Sequence, residues 1–324
     1  MRKTAVCDRI SDIGISVKFQ VRFKKIQKIF PKGNIFRRSI VYLSEEFSGR
    51  FSGFSINFHP QNIPNGKEGA VIANKIIDVR DVRKVYRIGQ TSLHALDGVD
   101  LTIEEGEFCC IVGRSGSGKS TLLNMMAGLE PPTSGQIIIA GKHIEKMNES
   151  ELILFRQKNV GFVFQSFNLL GSMTALENTA LPLEFRGVSK KVREKKAKEM
   201  LDAVGIGSHK NHKPAQMSGG QQQRVGLARA LVLDPKIIFA DEPTGNLDTK
   251  TTAEMMSLIT GLMRQRNQTF VMVTHDPTMA QYADKVVHIL DGKIVKLEVQ
   301  KPAEFPTVEE EQKILSALGE EKES

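Results

Sequence analysis

The stretch Gly113–Thr121, with the sequence GRSGSGKST, decides the fold of this 324-residue chain. It fits the pattern G-x-x-x-x-G-K-[ST]; the apolar run Phe108–Val112 precedes it and the helical pattern STLLNMMAGL overlaps its end and continues beyond it. A strand, a glycine-rich turn and a helix in this order are the context in which the pattern forms a phosphate-binding loop, or P-loop. The stretch therefore predicts a site for the phosphates of a nucleotide.

Each part of this loop has a predicted role. Glycines let the backbone N–H groups surround the β-phosphate, Lys119 bridges the β- and γ-phosphates, and the Ser120 hydroxyl ligates Mg²⁺. The positions predicted to contact the nucleotide are Gly113, Ser115, Gly116, Gly118, Lys119, Ser120 and Thr121.

A pair of carboxylates follows a second apolar run, IIFADEP. Asp241 ends this predicted strand, where it could hold the Mg²⁺ shell, and Glu242 beside it could polarise an attacking water. Two acids that cap a following helix are the structural alternative. That alternative does not explain a pair on a buried strand in a chain that also has a P-loop.

The rest of the pattern alternates strands with helices. The segments KIIDVRDVRKVYRIG and HALDGVDLTIEEGEFCCIVG indicate short strands with turns, residues 166–233 are mostly helical, and TFVMVTHD is a further strand. This alternation predicts an α/β fold with a mostly parallel sheet covered on both faces.

The composition is that of an ordinary globular protein, with 40% hydrophobic and 25% charged residues. There is no apolar run of 18 residues or more, which is the length that a membrane-spanning helix needs. Charges interrupt the N-terminal stretch MRKTAVCDRISDIG, so we expect no signal peptide. Three cysteines without metal-ligand spacing indicate reduced thiols.

The net charge of +8 is concentrated in one segment. Residues 1–75 carry 14 Lys and Arg against 5 Asp and Glu, whereas the remaining 249 residues carry 31 against 32. We predict a basic extension over residues 1–75 that is disordered or loosely packed, with membrane or partner contact as the alternative. A catalytic domain over residues 76–299 and an acidic tail over residues 300–324 follow it. Since the domain itself is neutral, its charge does not favour nucleic-acid binding.

Three further features have no role in the P-loop. Gln165 and His275 each follow an apolar strand, and strands of one parallel sheet lead to one edge, so both are predicted to reach the phosphate site. The stretch MSGGQQQRVGLARAL begins at Met217 with a glycine pair before a helix but carries no acid, base or nucleophile there. Bare backbone at a helix N-terminus suits an anion, which raises the question of which phosphate it binds.

These elements together resemble the ABC-type ATPases, the nucleotide-binding subunits of ATP-binding cassette transporters. The resemblance covers about residues 76–299 and rests on the P-loop, Gln165, MSGGQ, IIFADE, GNLD and His275 in the family's order. It implies a RecA-like parallel-sheet core, an antiparallel β subdomain and a helical subdomain at about residues 166–233. Met217 replaces the family's usual leucine, and the two side chains are of similar volume.

The resemblance also implies a role for each residue. Two domains pack head to tail, so that Ser218, Gly219, Gly220 and Gln221 bind the ATP held by the partner's P-loop. Glu242 is then the general base, His275 contacts the γ-phosphate, and Gln165 joins the Mg²⁺ and water shell. The remaining implied contacts are Tyr86, which stacks on adenine, and Asp248, which lies at the dimer seam.

The stretches FVFQSFNLLGSMTALENTALPL and ADEPTGNLD resemble the group of macrolide-export and lipoprotein-release ATPases. This implies ATP and Mg²⁺ as cofactors, a second protomer, most simply identical, and an integral-membrane permease, with the chain on the cytoplasmic face of the membrane. A groove for the permease is predicted on Phe167, Leu169, Leu170 and Leu176. Two alternatives remain: a cell-division ATPase that regulates cell-wall hydrolases through a membrane partner, and a soluble non-transport ATPase. The single cassette disfavours the second of these.

Overall fold

The structure is a computed structural model that describes residues 74–89 and 91–301. The predictions made for residues 1–73 and 302–324 lie outside the described residues. The elements of the described part alternate as the sequence pattern predicts.

The first two strands form a long antiparallel hairpin. Strand β1 (Lys75–Ile88) pairs with β2 (Thr91–Glu104), and the register shifts between Val79 and Val82. Asp81 has a φ of 43° at this bulge. The prediction of short strands with turns is therefore wrong here, because a bulge breaks the apolar alternation without ending the strand.

Two sheets are present in the described residues. The remaining strands are β3 (Phe108–Val112), β4 (Ser134–Ile139), β5 (Lys142–His143), β6 (Val160–Val163), β7 (Ile237–Asp241), β8 (Thr269–Thr274), β9 (Lys285–Leu290) and β10 (Lys293–Val299). A four-stranded antiparallel sheet has the order β2-β1-β4-β5, and a six-stranded sheet has the order β10-β9-β3-β8-β7-β6. Within the larger sheet, all pairs are parallel except the pair of β9 with β10.

Six α-helices in the described part of the chain join these strands. They are α1 (Lys119–Met126), α2 (Glu149–Asn159), α3 (Ala175–Phe185), α4 (Lys190–Ala203), α5 (Gly219–Leu231) and α6 (Thr249–Arg266). Helices α3, α4 and α5 lie between β6 and β7 in the chain and form the predicted helical subdomain. The segment before α3, residues 164–174, is not helical, although the sequence pattern includes it in the helical region.

The inner strands β3, β7 and β8 of the larger sheet are apolar because both faces are covered. Every residue of β3 and β8 is buried, and Phe239 and Phe270 are fully enclosed on opposite faces of the sheet, in two separate apolar clusters. Burying such a side chain contributes about 1.5–3 kcal/mol, so the sheet forms a rigid base for the loops at its edge. The ends of β3, β6, β7 and β8 carry the predicted site residues.

Two sequence predictions about composition also concern described residues. Cys109 and Cys110 follow one another in β3 as buried free thiols. None of the helices in the described ranges is long and apolar enough to cross a membrane.

Candidate nucleotide site

The P-loop connects β3 to α1, and its glycines are required where other backbone packs on it. A Cβ on Gly113 would lie 2.4 Å from the carbonyl oxygen of Ile289. A Cβ on Gly118 would lie 2.4 Å from the carbonyl oxygen of Ala95, and Gly118 has a φ of 99°, which glycine adopts readily. The loop is thus held between β2 and β9 at two points where no side chain fits.

Lys119 is buried and points back into the loop. Its ammonium group donates a hydrogen bond of 2.9 Å to the carbonyl oxygen of Arg114, and only 5% of the residue is exposed. The same carbonyl accepts a second bond from the N–H of Ser117. A buried ammonium group needs such a hydrogen-bond acceptor, and the bond keeps the charged end of Lys119 within the P-loop.

The N-terminus of α1 differs from those of α2 and α3. Gly118 caps it without a side-chain hydrogen bond, and no acid stands in its first turn. In contrast, α2 and α3 begin with complete capping boxes. The first N–H groups of α1 therefore suit an anion, as the motif predicts.

Two of the predicted magnesium ligands, Ser120 and Asp241, lie next to each other. The Ser120 hydroxyl donates to Oδ1 of Asp241 at 3.0 Å, across the space between α1 and the end of β7. Burial raises the pKa of Asp241, the Ser120 bond lowers it, and nearby Glu242 raises it. A divalent cation would favour the ionised form of this carboxylate, and a hydroxyl with a carboxylate is a donor set that Mg²⁺ accepts.

Glu242 forms the second acidic position and is held in place from several sides. Its Oε2 accepts a hydrogen bond of 2.7 Å from Nδ1 of His275, which follows β8. Its own N–H donates to the carbonyl of Val273. A Cβ on Gly245 would lie 3.1 Å from Nε2 of Gln165 and 3.4 Å from Oε2 of Glu242. The structure thus brings Gln165, Glu242 and His275 together around Gly245.

The backbone of Glu242 is unusual, with a φ of 45°. A non-glycine residue in this left-handed region costs free energy, and such residues cluster at functional sites. The sequence pattern does not reveal this strain, because a Glu after an apolar strand is equally compatible with ordinary backbone.

Tyr86 lies on β1 beside the end of the loop that follows α1. Its hydroxyl donates to Oε2 of Glu130 at 2.8 Å, and the ammonium nitrogen of Lys84 lies 5.2 Å from its ring centroid. Burial raises the pKa of Tyr86, the Glu130 bond raises it further, and a bond with Thr121 of the P-loop lowers it. Tyr86 is therefore fixed next to the P-loop, as its predicted contact with adenine requires.

We expect Tyr86→Ala to weaken ATP binding by about tenfold, because stacking of a base on an aromatic ring contributes roughly 1–3 kcal/mol. The dissociation constant of a fluorescent ATP analogue measures this effect. Tyr86→Phe is the matched control, since it keeps the ring and removes only the bond to Glu130. An alanine variant that binds ATP as the wild type does would contradict the stacking role.

The predicted signature segment, Met217–Gln221, begins helix α5. The Ser218 hydroxyl accepts the N–H of Gln221 at 3.3 Å, and Oε1 of Gln221 accepts the N–H of Ser218 at 3.0 Å. This capping box does not involve the N–H groups of Gly219 and Gly220. The glycine pair thus presents backbone N–H groups at the positive end of the helix dipole, which suits a phosphate.

Asp248 lies beside the signature segment in the same chain. It caps α6, where Oδ1 accepts the N–H of Thr251 and Oδ2 accepts its hydroxyl at 2.6 Å. The side-chain bond with Thr251 is the main cause that lowers the pKa of Asp248. The Thr251 methyl carbon lies 2.7 Å from where a Cβ on Gly220 would be, so the second signature glycine is required for this packing.

The predicted residues therefore form two groups. One group contains the P-loop, Asp241, Glu242, Gln165 and His275, and the other contains the signature segment and Asp248. Within the ranges that the structure describes, no hydrogen bond or ion pair joins the P-loop to the signature segment.

One connection between the groups was missed by sequence reasoning. Gln223, fully buried on α5, donates through Nε2 to the carbonyl of Pro243, the residue after Glu242. The signal in the sequence was the third glutamine of GQQQ, a polar residue within an otherwise apolar helix face. Gln223 ties the signature helix to the loop that carries Glu242.

Comparison with known proteins places this geometry among ATP-binding cassettes. The family model described as "ABC transporter" matches residues 96–245. The chain is 44% identical to the lipoprotein-releasing system ATP-binding protein LolD of Geobacter metallireducens, over 68% of this chain and 99% of LolD. It is 48% identical to the macrolide export ATP-binding/permease protein MacB of Chlorobaculum tepidum, over 68% of this chain but only 34% of MacB.

The solved structures give the same result. The ATP-binding cassette MJ0796, a dimer in a post-hydrolysis state bound to ADP and Pi, matches with a TM-score of 0.66 and 42% identity. The match covers 69% of this chain and 99% of that one. It agrees with the predicted fold class.

Proposed function

Because the chain belongs to the family of ABC transporter ATP-binding proteins, we propose that it is the ATP-hydrolysing subunit that powers a separate membrane permease. The observation that carries this proposal is the pair of half-sites. One chain carries a P-loop with its acids Asp241 and Glu242 and also a signature segment, and among the described residues no hydrogen bond or ion pair joins the P-loop to that segment. Two copies packed head to tail would complete two sites, as the dimeric relative supports.

The chemistry of the site follows from the residues around Gly245. Glu242 accepts the proton of the attacking water, and the N–H of His275 orients the carboxylate toward it. Gln165 supplies an amide to the same space. Lys119 and the N–H groups of α1 stabilise the charge that develops on the phosphates in the transition state.

Ser120 and Asp241 would hold Mg²⁺, with Gln165 as a further oxygen ligand. When bound, the ion neutralises charge on the β- and γ-phosphates. The fit of this donor set rests on the Ser120–Asp241 pair at 3.0 Å and on the burial that raises the pKa of Asp241.

We further propose a homodimer built from an ATPase domain over residues 76–299. Removal of the γ-phosphate by hydrolysis would weaken the contact between the halves, because the signature segment of one copy binds that phosphate on the other. Dimer opening then converts the reaction into movement of the attached permease.

We propose that the permease docks in an open apolar cleft whose residues differ from those of the groove predicted from the sequence. This cleft of about 360 Å³ lies between α2, β6 and α3 and is lined mainly by Phe162, Phe164, Leu181, Pro182 and Phe185.

The groove predicted on Phe167, Leu169, Leu170 and Leu176 stays a prediction, and Leu170 is 44% exposed. Leu169 and Leu176 pack against the core, since the loop that follows Gln165 folds back onto α5. The cleft is instead walled by several segments that are separate in sequence, so a contiguous apolar stretch did not reveal it.

We expect Phe185→Glu to prevent recovery of the permease while it leaves the ATPase domain folded, because 71% of Phe185 is exposed at the cleft. Tagged protein with ATP is used to capture partners from detergent-solubilised membranes of the native cell, and mass spectrometry identifies them. We expect at least about a tenfold loss of the membrane subunit, which corresponds to 1.4 kcal/mol or more.

Val299→Glu is the matched control, since Val299 is 73% exposed on the edge strand β10, away from the cleft. Equal losses with both variants would contradict the cleft as the docking site. Capture of no membrane protein by the wild type would contradict the transport function itself.

The same capture separates the second candidate function from the first. A permease-like subunit supports export or release of a lipophilic or peptide-like cargo, as the names of MacB and LolD suggest for those relatives. A cell-division or cell-wall component supports the regulatory function. Either partner would hold the chain on the cytoplasmic face of the membrane.

A further inference from the structure

Two residues after Gln165, the backbone makes a strained turn. Phe167 has a φ of 59° and Asn168 a φ of 48°, so two consecutive non-glycine residues occupy the left-handed region. Asparagine tolerates this conformation, but a bulky phenylalanine does so rarely. Such a turn persists only where surrounding contacts hold it.

Arg229 provides those contacts from the last turn of α5. One terminal nitrogen of its guanidinium donates to the carbonyl of Asn168 at 2.6 Å, and the other donates to the carbonyl of Phe167 at 2.7 Å. Burial lowers the pKa of Arg229, so its surroundings disfavour the charge. A half-buried arginine with both arms on the two strained residues is a specific clamp, because a planar guanidinium fixes the direction of both bonds.

The clamped turn carries the Phe167 side chain onto the signature segment. The tip of the Phe167 ring lies 3.9 Å from where a Cβ on Gly219 would be. The carbonyl oxygen of Phe167 lies 3.8 Å from where a Cβ on Gly226, a residue of the same helix, would be. The turn thus lies along α5 from its first glycine toward its last turn, where Arg229 holds it.

The other end of this segment belongs to the hydrolysis site. The carbonyl of Gln165 accepts a bond of 2.9 Å from Nδ2 of Asn246, and its amide lies beside Glu242. Only one residue, Ser166, separates Gln165 from Phe167, whose ring tip lies near Gly219.

We propose that Arg229 is a positioning residue, which locks the Phe167–Asn168 turn so that the Phe167 ring sets the position of Ser218–Gly220. It contacts no nucleotide itself. It links the Gln165 side of one ATP site to the signature segment, which completes the other. This role rests on the proposed head-to-tail dimer.

A double-mutant cycle in the Glu242→Gln protein tests the proposal. We expect Arg229→Met to weaken ATP-dependent dimerisation by about tenfold, since two hydrogen bonds from a charged donor are lost, while the apolar stem is kept. We expect Phe167→Ala to have a similar effect, and the double variant to be no worse than either single one.

ATP binding to the dilute monomer should stay within about twofold of the parent protein's affinity, because the P-loop is unchanged. Sedimentation measures the fraction of dimer, and titration with a fluorescent ATP analogue measures the affinity of the monomer for ATP.

Arg224→Met is the matched control. Arg224 is also half-buried on α5, but it donates to the carbonyl of Val204 at 2.9 Å and does not contact the turn. Its effect should add to that of Phe167→Ala, and thermal melting records any general loss of stability.

Three results would each count against a specific claim. Unchanged dimerisation in Arg229→Met overturns the positioning role, and so do additive effects of Arg229→Met and Phe167→Ala. If the parent Glu242→Gln protein stays monomeric at saturating ATP, the head-to-tail dimer is overturned. That result concerns the proposed function and is separate from the two results on Arg229.

Discussion

Lys119→Ala is expected to lower ATP turnover by about 10³-fold or more, because the one buried charge inside the P-loop is removed. Lys119 is held inside the loop by the Arg114 carbonyl at 2.9 Å. A bound triphosphate would replace this neutral acceptor by charged oxygens, which bind an ammonium group more strongly. We therefore expect both weaker ATP binding and slower hydrolysis, measured by phosphate release and by analogue titration.

A second variant and a control distinguish loss of the Lys119 charge from loss of the packing of its side chain. Lys119→Met keeps most of the buried stem and should lose activity as Lys119→Ala does. Lys285 is the other lysine buried among the described residues, at 8% exposure, and it bonds Glu107 and the carbonyl of Thr102. Lys285→Ala should lower the melting temperature but keep the affinity for ATP. Turnover near wild type in both Lys119 variants would refute the assignment of the loop.

Features carried by contiguous residues were predictable from the sequence. The P-loop combines a strand, fixed glycine positions and a helix start, all within Phe108–Met126, and each part has a local physical cause. The same holds for Asp241 at the end of β7 and Glu242 directly after it. The relatives confirm the family, the fold and the ATPase activity. The roles of individual site residues stay predictions that the variants proposed here test.

Features made by distant segments were not predictable. The bulge in β1 hides the continuity of the strand, because the alternation of apolar residues restarts after Asp81. The apolar cleft needs β6 and α3, whose side chains meet only after the helical subdomain folds onto the sheet. Arg229 looks like an ordinary surface arginine in LARAL, and only the backbone angles of Phe167 and Asn168 show what it holds.

Glu242→Gln is expected to lower the hydrolysis rate by about 10²–10⁴-fold, the usual contribution of a general base. The substitution keeps the size of the side chain, and the amide oxygen can still accept the N–H of His275. The phosphate site, with Lys119, Ser120 and Asp241, is unchanged. ATP should therefore bind normally and remain uncleaved.

Uncleaved ATP should then hold two copies together, because each γ-phosphate remains between the P-loop of one and the signature segment of the other. We expect the variant to be a dimer with ATP and Mg²⁺ and a monomer with ADP, as measured by sedimentation. Asp241→Asn is the contrasting control on the neighbouring acid. It removes a predicted magnesium ligand, so it should weaken ATP binding and form no dimer. Glu242→Gln protein that hydrolyses ATP near the wild-type rate would exclude Glu242 as the base, and a monomer at saturating ATP would contradict the shared site.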